Sequence, residues 1–484
     1  MELYTPESVY RLDQAAVERD RFSEVELMQR AGERVWRELI ARWPDAAAIS
    51  VFAGAGNNGG DAFVVALCAR ARGIDVQLLV QGDLARQSPT SAHFKAAWQR
   101  IGGTWEDWQQ QELRGDVIVD GLLGIGLERE LDADWQVLIE TINRSLVPKL
   151  AIDIPSGLSG LTGVAQPVAV RADLTVTFIG AKIGQYLADG PDYCGELVFD
   201  DLGVSRQTRN GVPADLGVIE SCQLPPPRRR NSHKNQYGHV LVVGGDRGMS
   251  GAVALAAHAA LRSGAGLVTA LVHPDCRHSL AAVPEIMVLD WDALARKLEQ
   301  ADVIVVGPGL GDSAAAGKCL QKLSAAELPM VADAGALKRE FLQSLKSRQV
   351  VITPHPGEAA ALLEKTTGAI QSDRVRACRA LVKACRATCV LKGSGTLIAD
   401  AERIEINLRG NPGMASAGMG DVLSGIIAAM LAQGLEPYAA ARSAVFLHAL
   451  GAEMFAEEAD ETGLLASDII ARIPGLVRRL RDGE

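Results

Sequence analysis

The segment ISVFAGAGNNGGDAFVVALCAR, residues 49–70, joins an apolar run, a glycine-rich loop and a second apolar stretch without interruption. Residues 49–53 predict a buried strand, and residues 62–70 predict a helix that packs against it. A strand followed directly by a helix is the repeating unit of α/β domains. The free N–H groups at the start of such a helix favour an anion such as a pyrophosphate. The segment therefore predicts an α/β domain that binds a phosphate-bearing ligand at the end of this strand.

Other short apolar runs, each followed by a predicted helix or loop, occur along the chain before and after this segment. Before the segment, one opening helix is predicted over residues 6–42. Predicted strands of the first half lie at 75–80, 116–120, 149–153 and 174–178. Those of the second half lie at 240–243, 267–272, 303–306, 330–333, 350–353 and 388–392. The alternation predicts two doubly wound, three-layer α/β/α domains, of which the first is Rossmann-like.

The periodic pattern fails between the two halves, where Pro225-Pro226-Pro227 and Arg228-Arg229-Arg230 occur. A chain of 484 residues also exceeds the length at which single cores stop growing. We predict a first domain over residues 1–212, a linker segment over 213–234 and a second domain over 235–484.

Composition limits the possible partners. With 48% apolar residues, 22% charged residues and a net charge of −10, the sequence is typical of a folded acidic protein, so we predict no nucleic-acid partner. No apolar run is long enough for a membrane span, and the N-terminus does not resemble a signal peptide. Together with eight dispersed cysteines, these features predict a cytoplasmic protein without a membrane partner. The oligomeric state stays open, and a homo-oligomer is compatible with an α/β enzyme.

Polar residues follow three predicted strands of the first half. The carboxyl ends of parallel strands share one edge of a sheet, so the side-chain oxygens of Asn58, Asp120 and Ser156 are expected to surround one monovalent cation there. Asp153, at the end of a further strand, would then face a substrate. The alternative is structural: the glycine-rich segment is only a turn, Asp61 caps the helix, and each strand-end aspartate is a turn residue.

The motifs AGAGNNGGD, DGLLGIG and DIPSG resemble those of the YjeF N-terminal family, which includes NAD(P)H-hydrate epimerases, over about residues 10–210. The resemblance implies K⁺ bound by Asn58, Asp120 and Ser156, and an acid–base role for Asp153. The implied substrates are the hydrated cofactors NADHX and NADPHX. Besides Asp153, the implied substrate contacts are Asn57, Asn58, Gly59, Gly60, Asp61, Gly124, Ile125, Gly126, Leu127, Glu128, Arg129 and Glu130. A module that binds without catalysis is the alternative within this family.

The second half contains its own glycine-rich loop, NPGMASAGMGDVLSG at residues 411–425, which runs into a long apolar stretch. Free N–H groups at the start of the predicted helix favour a phosphoryl group, and Asp421 can accept a proton from a hydroxyl nearby. Capping of the helix by Asp421 is the structural alternative.

This loop resembles the Gly-x-Gly-Asp motif of the ribokinase superfamily and, over its full length, the NAD(P)H-hydrate dehydratase branch. The segments GPGLG (307–311), TPHPGE (353–358) and KGSGT (392–396) agree with that branch. The resemblance implies a ribokinase-like fold, catalysis by Asp421, conversion of ADP to AMP, and Mg²⁺ on the phosphates. The implied nucleotide contacts are Lys392, Gly393, Ser394, Gly395, Thr396 and Gly420, and the implied contacts to the hydrated cofactor are Ala252, Gly309, Gly311, His355 and Asp421. For His355, which lies between two prolines, a purely structural role is the alternative.

The two resemblances together imply repair of nicotinamide cofactors. The first domain would interconvert the R and S forms of NAD(P)H hydrate, and the second would dehydrate the S form to NAD(P)H while ADP gives AMP and phosphate. One alternative is a small-molecule kinase of the ribokinase superfamily with a nucleotide-binding N-terminal module. Another is a nucleotide-sensing protein that binds its ligands without turnover.

Overall fold

The computed structural model describes residues 1–127, 130–280 and 283–483, with only the backbone of His278 and Ser279. The chain forms two compact units, Met1–Gly217 and the unit that begins at Val218. The boundary between them falls inside the segment 213–234.

Strands and helices alternate along the first unit. Its strands are β1 (Glu2–Tyr4), β2 (Ala48–Ala53), β3 (Asp75–Val80), β4 (Glu106–Asp107), β5 (Val117–Gly121), β6 (Lys149–Ile152), β7 (Leu174–Phe178), β8 (Ala181–Lys182), β9 (Glu196–Asp200) and β10 (Leu216–Val218). Its α-helices are α1 (Pro6–Arg19), α2 (Glu24–Arg42), α3 (Asn57–Ala71), α4 (Pro89–Arg100), α5 (Ala133–Arg144), α6 (Gly190–Cys194) and α7 (Arg206–Arg209). The main sheet has the order β4-β3-β2-β5-β6-β7-β9, and neighbouring strands are parallel.

Both faces of this sheet are covered because successive side chains of a strand point to opposite sides. Ile49 and Val51 of β2 belong to the apolar cluster that includes α2 and α3. Phe52, between Val51 and Ala53, belongs instead to the cluster built around Leu138 of α5. The first unit is therefore a three-layer α/β/α domain.

The prediction of one opening helix over residues 6–42 is wrong. α1 ends at Arg19, Arg21 has a φ of 60°, and α2 begins at Glu24. The side chain of Ser23 accepts a hydrogen bond from the backbone N–H of Glu26 at 3.1 Å and thereby caps α2. Ser-x-x-Glu is a start signal for a helix. The sequence at Ser23–Glu26 therefore already indicated that a second helix begins here, although the apolar pattern continues across it.

The second unit repeats the alternation. Its strands are β11 (His239–Val243), β12 (Leu267–Val272), β13 (Met287–Asp290), β14 (Val303–Val306), β15 (Met330–Ala332), β16 (Val350–Ile352), β17 (Thr388–Leu391), β18 (Thr396–Ala399) and β19 (Ile404–Asn407). Its α-helices are α8 (Ser250–Arg262), α9 (Leu294–Leu298), α10 (Ala314–Leu323), α11 (Arg339–Ser344), α12 (Pro356–Leu363), α13 (Thr367–Gln371), α14 (Arg374–Cys385), α15 (Met419–Ala432), α16 (Pro437–Ala456) and α17 (Ala466–Asp482). Within this unit, the strands lie in the order β13-β12-β11-β14-β15-β16-β17-β18-β19.

This second sheet is parallel from β13 to β17 and ends in the antiparallel strands β18 and β19. Val240 and Val242 of β11 pack against a cluster that includes α8, α15 and α16, while Leu241 and Val243 are equally buried on the other face. The predicted fold class of two doubly wound α/β domains is confirmed, with an antiparallel edge that the sequence pattern does not predict. None of the helices in the described ranges combines the length and apolarity needed to cross a membrane.

Candidate active sites

The glycine-rich loop of the first unit packs directly against the loop that follows β5. A Cβ atom on Gly54 would lie 1.7 Å from the carbonyl oxygen of Leu122. A Cβ atom on Gly59 would lie 1.9 Å from the carbonyl oxygen of Gly54. Only glycine allows these backbones to approach so closely. The two glycines therefore bring the start of α3 against the neighbouring strand end.

Substitution at Gly54 tests this close approach. We expect Gly54→Ala to lower the free energy of unfolding of the first unit by about 3 kcal/mol, because the added methyl group displaces a backbone carbonyl. Gly56→Ala is the matched control: its Cβ would meet nothing within 4 Å, and the φ of Gly56 is −88°. Denaturant unfolding of both variants measures the difference. Equal stability of the two variants would contradict the packing described here.

A buried group of oxygen atoms lies at the carboxyl ends of β2 and β5. Asp120 accepts hydrogen bonds from the backbone N–H of Ser156 at 2.8 Å and from its hydroxyl at 2.6 Å. Burial raises the pKa of Asp120 to about 6, against the lowering effect of these hydrogen bonds. The Asn58 amide donates to the carbonyl of Leu123 at 2.9 Å, while its buried Oδ1 has no hydrogen-bond partner among the described residues. The predicted trio thus meets at one place and includes a buried oxygen without a donor.

Asp153 follows β6 and forms an ion pair with Lys182 of β8, whose side chain is 1% exposed. The Lys182 ammonium also donates to the hydroxyl of Thr177 at 2.9 Å and to the carbonyl of Phe178 at 3.2 Å. Asp153 has a φ of 63°, and Gln185 donates to its carbonyl at 2.8 Å. A non-glycine residue in this region is strained and needs such support from its surroundings. The backbone and the lysine together fix the position of the carboxylate.

A cavity of about 1290 Å³ opens at this edge of the sheet. Asp13, Asp61, Asp153 and Lys182 all line it. Burial, reinforced by the charges of Asp153 and Asp13, raises the pKa of Asp61 well above its usual value. The cavity has room for a ligand of dinucleotide size and presents several acidic groups to it.

Most of the predicted contact residues of the first unit lie at this cavity. Its walls include Asn57, Asn58, Asp61, Gly124, Ile125, Gly126, Leu127 and Asp153. Gly59 and Gly60 are buried and are not part of the wall, and Glu130 is exposed and is not part of it either. Glu128 and Arg129 lie outside the described residues. The sequence pattern missed Lys182 and Asp13, since neither belongs to a glycine motif.

The second unit has a polar network at the ends of β15 and β17. The ammonium of Lys392 contacts Asp333 at 3.0 Å and Glu358 at 3.8 Å. The hydroxyl of Ser424 donates to the other oxygen of Asp333 at 2.9 Å. Burial alone would lower the pKa of Lys392, but Asp333 and Glu358 outweigh it and hold the pKa above its usual value. The network joins two strand ends to the first turns of α15.

Asp421 lies in the first turn of α15, which begins after Gly418 with a φ of 90°. Burial, reinforced by the carboxylates of Asp333 and Glu358, raises the pKa of Asp421 to about 7, and Lys392 opposes this shift. A Cβ atom on Gly420 would lie 3.0 Å from the Lys392 ammonium, so glycine leaves room for that cation. A carboxyl group thus lies beside free helix N–H groups and a lysine, with a pKa suited to proton transfer near neutrality.

The segment Lys392–Thr396 forms the tight connection between β17 and β18. Gly393 and Gly395 have φ values of 128° and 63°. Arg374, 1% exposed, donates to the carbonyls of Lys392 at 3.1 Å and Gly395 at 3.4 Å. The buried guanidinium of Arg374 thus holds the backbone of this segment in place. The sequence pattern did not predict a role for Arg374, because the sequence around it is that of an ordinary helix.

The remaining predicted residues of the second unit divide into two places. A Cβ atom on Gly309 would lie 2.2 Å from the carbonyl of Met249, so this loop packs against the start of α8, which carries Ala252. Gly311 packs there too, with its Cβ position 2.8 Å from Asp246. His355 caps α12, where its Nδ1 accepts from the N–H of Gly357 at 3.0 Å. His355 therefore has a structural role as the cap of α12, which was the alternative to a contact with the hydrated cofactor.

Comparison with known proteins finds one family match in each of the two units. Residues 24–184 match the family model described as YjeF-related protein N-terminus, and residues 240–475 match that of NAD(P)H-hydrate dehydratase. The bifunctional NAD(P)H-hydrate repair enzyme of Coxiella burnetii is 42% identical over 98% of this chain and 99% of its own length. The chain belongs to the bifunctional NAD(P)H-hydrate repair enzymes. The Escherichia coli repair enzyme is 40% identical over 93% of this chain and 89% of its own.

A solved structure similar to part of this chain is the ADP/ATP-dependent NAD(P)H-hydrate dehydratase from Bacillus subtilis, co-crystallised with ATP/Mg²⁺. It is 30% identical, covers 52% of this chain and 94% of its own, and has a TM-score of 0.49. Membership in the family of bifunctional NAD(P)H-hydrate repair enzymes confirms the resemblance inferred from the sequence for both halves.

Proposed function

We propose that the first unit epimerises the hydrates of NADH and NADPH and that the second unit dehydrates one epimer with a nucleotide as phosphoryl donor. The observation that carries the proposal is a carboxylate–lysine pair at the carboxyl edge of each sheet, beside a glycine-rich helix start: Asp153 with Lys182, and Asp333 and Asp421 with Lys392. Each set lies within one unit. The chain therefore carries two separate reaction centres.

In the epimerase unit, Asp153 is the residue that exchanges a proton with the C6 hydroxyl of the hydrate. Inversion at C6 requires the C–O bond to break and to form again on the other face of the ring. The lysine keeps the carboxylate in one position and compensates its charge, and the cavity supplies a partly dehydrated environment. The loops at Asn57–Asp61 and Gly124–Leu127 would hold the remainder of the dinucleotide.

A potassium ion fits the oxygen atoms of Asn58, Asp120 and Ser156. The fit rests on the buried Asn58 Oδ1 that lacks a hydrogen-bond donor and on the fully buried carboxyl of Asp120, whose negative charge a cation would balance. Oxygen donors with a single carboxylate suit a hard monovalent cation. When bound, the ion would supply positive charge near the phosphate-binding loop.

Removal of K⁺ tests this site. We expect replacement of K⁺ by choline at constant ionic strength to lower the epimerisation rate about tenfold, because the buried carboxylate and loop lose their balancing charge. The Asn58→Ala variant should be slow in either salt and respond little to K⁺. The rate of interconversion of one purified epimer, followed by chromatography, is the measurement. An unchanged rate without K⁺ would rule out the ion as a functional component.

In the dehydratase unit, Asp421 accepts the proton of the C6 hydroxyl as that oxygen takes a phosphoryl group from ADP. AMP leaves, and the phosphate then departs from C6 with the electron pair of the C–O bond while C5 loses a proton, which restores the dihydropyridine. Lys392 and the N–H groups at the start of α15 would hold the phosphates. The Lys392–Thr396 segment, fixed by Arg374, would contact the nucleotide.

Magnesium would enter with the nucleotide, where it neutralises charge on the phosphates. Within the described residues, no group of three or more histidine, cysteine or acidic side chains is arranged to hold a metal ion. We therefore assign no protein ligands to Mg²⁺.

The direct test is to incubate the purified chain with both epimers of NADH hydrate, Mg²⁺ and ADP, and to follow the return of dihydropyridine absorbance. We expect complete consumption of both epimers, and of only one in the absence of epimerisation. ATP in place of ADP tests nucleotide preference. If no hydrate is consumed with either nucleotide, the repair function is wrong and phosphorylation of other alcohols should be examined.

A further inference from the structure

The helix α1 contributes a carboxyl group to the epimerase cavity from outside the segment that matches the YjeF-related family model. Asp13 lines the cavity together with Asp61, Asp153 and Lys182, whereas the family match begins at residue 24. α1 is held firmly: its residue Leu12 is fully buried, and Thr5 caps its first turn by accepting from the N–H of Ser8 at 3.2 Å. The position of Asp13 in the cavity wall is thus built into the fold.

The carboxyl group of Asp13 is only partly exposed and makes no hydrogen bond or ion pair within the described part of the chain. The acidic groups around it differ in this respect. Asp153 is paired with Lys182, and Glu24 accepts from the hydroxyl of Thr90 at 2.8 Å. A carboxyl group that lines a cavity without a protein partner is free to contact a ligand there.

Asp13 and Asp153 have different surroundings in the cavity wall. Burial, with the charges of Asp153 and Glu24, raises the pKa of Asp13 to about 7, against the lowering effect of Lys182. Asp153 instead contacts the Lys182 ammonium directly. Two carboxyl groups that differ in this way are the usual basis for one acid and one base in the same site.

We propose that Asp13 is a second catalytic residue of the epimerase, which donates a proton to the departing C6 oxygen while Asp153 serves as the base. The proposal rests on the epimerase function proposed above. It supplies one group that protonates the leaving oxygen and a second group that accepts a proton from the incoming water.

Epimerisation proceeds through loss of water from C6 and its return to the other face. The C6–O bond breaks with its electron pair on oxygen, Asp13 supplies a proton, and water leaves, while the lone pair of the ring nitrogen forms a C=N bond to C6. A water molecule then adds to the opposite face and gives a proton to Asp153. The product is the other epimer, with Asp13 ionised and Asp153 protonated. Exchange of protons with solvent restores both groups, and the reverse reaction uses them in exchanged roles.

The pH dependence has a definite sign. Because Asp13 must carry a proton to act as the acid, the rate of the forward step is expected to fall as the pH rises through about 7. The charged groups that surround Asp13 are Lys182, Asp153 and Glu24. The charge of Asp13 in turn raises the pKa of Asp61. Asp61 is the competing donor, since its pKa is also raised.

The test uses one purified epimer of NADH hydrate in K⁺ buffer without nucleotide, with the full-length chain, between pH 5.5 and 9. We expect Asp13→Asn to lower kcat for epimerisation at least 100-fold, with little change in KM, and to abolish the loss of rate above about pH 7. Asp13→Glu, which keeps an acid, should recover part of the rate and the alkaline limb. In ¹⁸O-labelled water, the wild-type chain should exchange the C6 oxygen at the rate of epimerisation, and Asp13→Asn should lose both.

Controls separate this proposal from folding and from the epimerase function itself. Glu7→Gln removes an exposed carboxylate from the same helix and should behave as wild type. The nucleotide-dependent dehydratase rate of Asp13→Asn should be normal, and denaturant unfolding of its first unit should occur at no lower concentration than in wild type. A wild-type rate and pH profile in Asp13→Asn, or loss of the alkaline limb in Asp61→Asn alone, would overturn the role of Asp13 while leaving epimerisation by Asp153 intact. Absence of epimerisation in the wild-type chain would instead overturn the proposed function.

Discussion

Replacing Asp421 by alanine is expected to lower the nucleotide-dependent dehydration rate roughly 10³-fold, because the variant lacks the carboxylate that would accept the hydroxyl proton at the start of α15. Since the pKa of Asp421 is about 7, the wild-type rate should rise as the pH increases through that value and the carboxyl loses its proton. Single-turnover return of dihydropyridine absorbance from the S epimer measures both effects. The rate of epimerisation, which depends on the other unit, should not change.

The Asp421→Asn variant separates lost chemistry from lost structure. Burial raises the pKa of Asp421 in the folded chain above its value in the unfolded chain, so the folded state binds an extra proton between about pH 4 and about pH 7. The carboxyl group therefore destabilises the unit increasingly as the pH rises through this range. We expect Asp421→Asn to be inactive yet to unfold at a higher temperature than wild type at pH 8. An active Asn variant would contradict the role of Asp421 as the base.

Replacing Asp153 by asparagine is expected to lower the epimerisation rate roughly 10³-fold. With mixed epimers and excess ADP, the variant should consume the S form and then stop, so the recovered absorbance reaches a plateau equal to the S fraction. Wild type should continue to completion. The position of the plateau, measured against the epimer ratio found by chromatography, is the readout.

The same substitution has a structural cost that needs its own control. Lys182 is 1% exposed, and removal of its charged partner should lower the stability of the first unit by about 3 kcal/mol. The double variant Asp153→Asn with Lys182→Met removes both charges and should recover stability without recovering epimerisation. If the double variant regained activity, the carboxylate would have only a structural role.

Glycine motifs and strand ends were predictable from the sequence because they depend on local rules. Gly54 and Gly420 lie next to a strand end and a helix start, where close approach of a backbone or a cation excludes a side chain. Asp120 is the next-to-last residue of β5, and Asp153 directly follows β6. Parallel topology then dictates that such ends share one edge. The sequence therefore predicted that Asn58, Asp120 and Ser156 lie together, and the structure supplied their hydrogen bonds and distances.

The residues that were missed act across long distances in the chain. Lys182 lies in the two-residue strand β8, and no local sequence pattern predicts that its side chain forms an ion pair with Asp153. Arg374 reads as one of several arginines on a helix, although its guanidinium is buried against the loop after β17. Burial of a charged side chain depends on which elements pack around it, and that is a tertiary property.

The boundary after Gly217 has a consequence for the supply of cofactor in the cell. Because one chain carries both reaction centres, both are made in equal numbers whenever the gene is expressed. When damage produces both epimers, neither activity can fall short because the other was synthesised in larger amount. Recovery of the R form therefore depends on both centres, whereas recovery of the S form depends on the dehydratase centre alone.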